Sequence, residues 1–169
     1  MAFATQLPAA LQSLHEVEFD MDEIDYEPFE AFFPAEENQS WIRAWTGNEA
    51  LDGSEYRVFG QDGTGGYAMF WLVRDGQPVE AQPVVFFGSE GEVSVIASNL
   101  DDYMWLLAGG IGPLEATEYG ADDAKPHEAF AAFAKEHAPA AEKSAAEVLE
   151  KARAEFPDFE QRVRGMCGE

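Results

Sequence analysis

Residues 57–73, RVFGQDGTGGYAMFWLV, and residues 82–100, QPVVFFGSEGEVSVIASNL, decide how this chain folds. Each is an apolar run rich in aromatic and β-branched residues, cut in its middle by a cluster of Gly, Asp and Ser that suits only a turn. The pair predicts two consecutive hairpins, a meander of antiparallel strands inside the span from Tyr56 to Gly110. Strand side chains alternate between faces, so Tyr67, Met69, Trp71 and Val73 point one way and Ala68, Phe70 and Leu72 the other. Neither set is polar. A strand apolar on both faces is central and covered twice. Helices supply one cover, and either more of this chain or a partner supplies the second.

Helical signals flank the meander on both sides. Leu7, Leu11 and Leu14, spaced by four and three, predict a short helix over Leu7–His15. Val17, Phe19 and Met21 then alternate with Glu16, Glu18, Asp20 and Asp22, which predicts a first edge strand with one acidic face. Pro34, Glu36 and Glu37 open a helix that carries Trp41, Ile42 and Trp45 on one face and ends at Gly47. After the meander, Asn99 caps a helix with Asp101 and Asp102 in its first turn, Asp102 being placed to close a capping box, and Gly109-Gly110 stops it. Ile111 to Ala124 reads as a linker. A helix over Pro126–His137 buries Phe130, Phe133 and Ala134; Pro139 breaks it, a second runs to Phe156, and the tail beyond Pro157 frays.

The expected fold class is therefore α+β: a twisted antiparallel sheet, a meander of about four to six strands, packed against helices with extra C-terminal ones. One domain spanning residues 1–169 is the economical organisation at this length.

Charge narrows the function. There are 33 acidic residues against 10 basic ones, a net of −23. Residues 1–120 hold 22 of the acids and only Arg43, Arg57 and Arg74, while Glu16 to Glu37 holds ten acids and no base. Such a surface repels nucleic acid, whose binding needs Lys and Arg on the phosphates, and it attracts a basic protein. Phe19, Tyr26, Phe29, Phe32 and Phe33 punctuate the acidic stretch, so it lies on the body rather than trailing as a disordered tail. The single cysteine, Cys167, excludes an intrachain disulfide and suits a reducing compartment. No run approaches the ~18 apolar residues of a membrane span, and Met1–Leu14 carries no basic residue, so a cytoplasmic location is expected.

Catalytic and cofactor signatures fail on context. Gly63-Thr64-Gly65-Gly66-Tyr67-Ala68 has the letters of a dinucleotide loop, but a strand follows it where a helix N-terminus must receive the pyrophosphate. Asp62-Gly63-Thr64-Gly65 begins like a calcium loop and then presents Arg74 where the bidentate glutamate belongs. His15, His127, His137 and Cys167 have no metal-ligand spacing, and Ser89 sits in a hairpin rather than a nucleophile elbow. No cofactor and no metal are expected.

The order of motifs resembles the SUKH superfamily (Smi/Knr type). The resemblance rests on Trp41, then Phe59-Gly60-Gln61-Asp62-Gly63-Thr64-Gly65-Gly66-Tyr67, then Pro83-Val84-Val85-Phe86-Phe87-Gly88-Ser89-Glu90-Gly91, then Asn99-Leu100-Asp101-Asp102. It covers roughly residues 36–108, with the helical extension of about 125–156 outside it. It implies structural roles for Trp41, Gly60, Asp62, Gly63, Gly65, Gly66, Gly88, Ser89, Gly91 and Asn99 and no catalytic centre. It also implies a protein-binding role, either immunity against a toxin such as a nuclease or regulation through an endogenous partner. Joined to the acidity, the expected contacts are Asp20, Asp22, Glu23, Asp25, Tyr26 and Glu27 and, if the sheet face is open, Tyr67, Met69 and Trp71.

Overall fold

The computed structural model describes residues 6–20 and 23–167. Strands β1 (Glu27–Pro28), β2 (Tyr56–Gln61), β3 (Tyr67–Trp71), β4 (Val84–Phe87) and β5 (Val93–Ala97) form one antiparallel sheet in chain order. Seven α-helices are present among the described residues: α1 (Ala9–Leu14), α2 (Ala35–Thr46), α3 (Leu100–Ala108), α4 (Pro113–Glu118), α5 (Glu128–His137), α6 (Ala145–Glu155) and α7 (Phe159–Met166). The class is α+β, and the two expected hairpins are β2–β3 and β4–β5.

The pleat divides the core as the alternation predicts. Ala68 and Phe70 join Phe59, Phe86 and Ile96 against Tyr103 and Leu107 of α3 and Phe130 of α5. Met69 and Trp71 join Tyr56, Val58, Val85 and Phe87 on the other face. The second cover is the chain itself: Ile42 of α2 and Phe159 and Val163 of α7 lie in that layer. α7 corrects the expectation of a frayed tail. Phe159, Val163 and Met166 recur at helical spacing, the Phe159 ring sits 4.7 Å from Trp71, and Arg162 lies 4.9 Å over the same indole. Asn48 Nδ2 donates to Met166 O at 2.7 Å and Arg164 to Gly91 O at 2.7 Å, tying down the far end.

Two other expectations are corrected. Residues 17–20 are not a strand; the half-buried Phe19 instead packs on Phe130 of α5, ring centroids 4.7 Å apart, and the edge strand is β1. Met21 and Asp22 lie outside the described residues. Along β2, the amides of Phe29 and Phe33 donate to Phe59 O (2.9 Å) and Val58 O (3.2 Å), so residues 29–33 close that border of the sheet. The presumed linker contains α4, with Pro113 in its first turn after Gly112.

Turn and cap chemistry follow the sequence closely. Asp62 is buried and accepts from Gly66 N and Thr64 Oγ1, each at 2.7 Å, while Gly65 takes φ 96°. A Cβ on Gly60 would stand 2.6 Å from the Tyr26 ring, which is why glycine is needed there. Asn99 Oδ1 accepts from Asp102 N at 2.8 Å, the expected cap. The Asp102 carboxylate does not complete a capping box. It is 1 % exposed and pairs with Lys143 at 2.5 Å and Lys151 at 3.3 Å, locking α3 to α6 and the turn before it.

Candidate functional site

Residues from three separate stretches converge where β3 begins. Phe29 and Phe33, on the segment along β2, stack with centroids 5.4 Å apart. Tyr67, the first residue of β3, stands edge-on to Phe33 at 5.0 Å and to Trp41 of α2 at 5.6 Å. All four rings are half-buried. Their inner edges continue into the core, since Trp41 also meets Phe87 at 5.2 Å. Their outer edges line two adjoining shallow cavities of about 440 Å³ each, one rimmed by Glu36, Glu37 and Ser40, the other by Glu27, Glu30 and His15. The four carboxylates are exposed, and no lysine or arginine lines either cavity.

Local sequence explains why the groove stays open. α2 follows its N-cap Pro34, so Glu36 and Glu37 fall in its first turn, where the helix dipole favours them, and both face water. Trp41 sits four or five residues on, over Tyr67. Aromatic faces carry partial negative charge, so rings and carboxylates together make an apolar-walled slot with a negative mouth. Such a slot takes the stem and head of a lysine or arginine side chain, the stem against the rings and the cation over a ring face or on a carboxylate.

The expected contact residues distribute unevenly. Tyr67 and Glu27 belong to this groove. Trp41, assigned a structural role from its motif, is one of its walls. Met69 and Trp71 are buried beneath α7, so the sheet face is closed and they contribute only to the core. Tyr26 is fully buried edge-on to Tyr103, and burial raises its phenol above the ordinary value. Asp25 accepts from Gly63 N at 2.7 Å and so holds the β2–β3 turn. Asp20 is exposed, and Asp22 lies outside the described residues. Glu23 turns to the helical side, its Oε2 3.0 Å from His127 Nε2. Of the motif residues, Gly63 and Gly65 are exposed at the β2–β3 turn and Gly66 is buried against Phe86. Gly88, Ser89 and Gly91 form the β4–β5 turn, where Gly88 O accepts from Trp45 Nε1 at 2.8 Å.

A separate cavity of about 640 Å³ is lined by Glu23, Glu115, Asp123, Lys125, His127 and Glu128. His127 Nδ1 accepts from Phe130 N at 3.3 Å, while its buried Nε2 lies 3.0 Å from Glu23 Oε2 but makes no hydrogen bond among the described residues. No hydroxyl or thiol lines the cavity. Burial raises the Glu115 carboxyl above its ordinary 4.5; backbone hydrogen bonds from Asp25 and Gly112 pull it back, and the charges of Asp25 and Asp123 add to the rise. A raised value means the fold prefers the protonated acid. That contribution is fully present below 4.5 and is lost as pH climbs through the raised value. Glu115→Gln is therefore expected to melt higher than the parent at neutral pH, with the gap closing as the solution is acidified; a gap independent of pH in thermal melts would refute this assignment.

Among the described residues, no three His, Cys, Asp or Glu side chains are grouped to hold a metal ion, and no helix is long and apolar enough to cross a membrane. No protein-family model matches the chain, and neither curated proteins nor solved structures give a match.

Proposed function

We propose that this protein is a non-enzymatic binding domain that captures a basic protein, and that its role is immunity: neutralising a toxin, of the kind that uses a cationic cleft to hold phosphates, by filling that cleft with carboxylates and aromatic anchors. One observation carries the reading, namely the Phe33–Trp41–Tyr67 groove mouthed by Glu36 and Glu37 in a chain of net charge −23. Interface anchors are typically half-buried aromatics set among exposed polar groups, and the excess negative charge steers a cationic partner toward them. The resemblance of the motif order to that of SUKH proteins supports the same reading, since that resemblance implies a protein-binding role.

The test is comparative capture from the native host, with wild type and Glu36→Lys/Glu37→Lys as baits and mass spectrometry of what each retains. A basic protein held by wild type and lost by the reversal is expected, with association slowing on the order of ten-fold between low and physiological salt. If that protein is a toxin, its activity should fall on stoichiometric addition of wild type. If it is an endogenous basic protein, the domain is a regulatory scaffold. Equal capture by both baits, or salt-independent association, removes the groove from the function.

A further inference from the structure

On the opposite side of the sheet from that groove, a cavity of about 360 Å³ opens between α3, α5 and the start of α6. Its wall is apolar, made of Trp105, Ala108, Ala131 and Ala145, and the Trp105 indole N–H is already committed to Ala138 O at 2.8 Å. The chain has only four lysines, and Lys125, Lys135 and Lys143 all line this one cavity. The fourth, Lys151, shares the buried Asp102 with Lys143.

Lysines in a protein with 33 acids have abundant partners within reach. Yet Lys125 and Lys135 are exposed and form no side-chain hydrogen bond or ion pair among the described residues, while Lys143 is neutralised by Asp102. The mouth thus carries two uncommitted ammonium groups, with Glu142 the one acid on the lining. Lys125 also stands on the wall shared with the acidic cavity around Glu115, which makes Lys135 the cleaner of the two cations. The first turn of α6 borders the same mouth, its end already capped by Ser144 and Glu147. An inorganic anion would leave the tryptophan and alanine wall wet, and a purely apolar ligand would leave the ammonium groups without a partner. The volume lies at the lower end of the ~300–1,000 Å³ of small-molecule sites.

We propose that this cavity binds a small amphipathic carboxylate, its apolar body against Trp105 and the alanines and its carboxylate between Lys125 and Lys135. The site is independent of the proposed protein-binding groove, and either can fail without the other.

Decanoate is the probe, titrated into the full chain by calorimetry and followed in parallel by displacement of anilinonaphthalene sulfonate, with decanol as the uncharged control. Decanoate should bind and displace the dye while decanol at equal concentration binds much more weakly. Charge-assisted contacts of this kind set the expected loss in Lys125→Gln/Lys135→Gln at ten-fold or more in decanoate affinity, with decanol unchanged. Both side chains are exposed and without ion-pair or hydrogen-bond partners among the described residues, so the variant should keep the parent circular dichroism. Arg164→Gln, on α7 beyond the sheet, should bind decanoate as the parent does. Ala131→Leu, which fills the apolar wall, should weaken decanoate and decanol alike. No binding of decanoate, equal affinity in the double lysine variant, or loss on Arg164→Gln would each overturn the assignment.

Discussion

Phe159→Ala is expected to remove about 4 kcal/mol of stability, the scale of deleting a buried phenylalanine, and to lower the melting temperature by roughly 8–16 °C for a chain of this size. The ring is 2 % exposed and lies against Trp71 at 4.7 Å and Phe87 at 6.3 Å, so its loss leaves a void between α7 and β3. Besides the Phe159 and Val163 side chains, the helix is anchored by Met166, by Arg162 over the Trp71 ring and by Arg164. Water should then reach the Trp71 indole, and tryptophan emission should move to longer wavelength in the folded protein. Truncation after Pro157 should go further, baring Trp71 and Tyr56 beside the helix and favouring association. A variant that melts within a degree of the parent would mean that α7 does not cover the sheet.

Asp102→Asn is the second large effect. Removing the anion from a buried ion cluster strands its cations, and such changes cost about 3 kcal/mol, roughly 6–12 °C in melting temperature here. Lys143 is 19 % exposed and held at 2.5 Å, Lys151 is 46 % exposed at 3.3 Å, so the variant leaves Lys143 worst placed. Desolvation of all three charges already opposes the cluster. The combination Asp102→Leu with Lys143→Met and Lys151→Met should therefore regain most of the loss, because an apolar trio of similar volume carries no such penalty. Denaturant midpoints at constant slope decide between the two patterns. If Asp102→Asn is neutral, the cluster does not lock α3 to α6.

The meander was readable because its signals are local and mutually consistent. The Tyr67 to Val73 alternation assigns both faces of β3 correctly, and Asn99, Pro34 and Gly47 sit at helix ends as their chemistry dictates. The alternation over Val17 to Met21 misled because a period of two says nothing about whether a neighbouring strand is available; Phe19 found a helix instead. α7 had a usable signal in Phe159, Val163 and Met166, masked by Pro157 and Gly165. α4 buries only Pro113 and Ala116, which gives no stripe of large apolar residues for a period to register. The groove and the lysine cavity were out of reach for a different reason: their members are tens of residues apart, and only the folded topology brings Phe33 to Tyr67 or Lys125 to Lys143. Acidity and aromatics pointed to the segment that supplies Phe29 and Phe33 to the groove, but not to which side chains it would keep for itself.

The border at β1 constrains how any associate can attach. That rim is two residues long, one of them a proline that has no amide to offer, and the Phe29 and Phe33 amides already occupy the neighbouring carbonyls of β2. An extended segment from another molecule finds no free row of backbone groups on this flank to extend the sheet with. Recognition on this flank is thereby confined to side chains, which makes it selective for chemistry rather than for any chain able to lie flat, and leaves this margin poorly suited to seeding edge-to-edge aggregation.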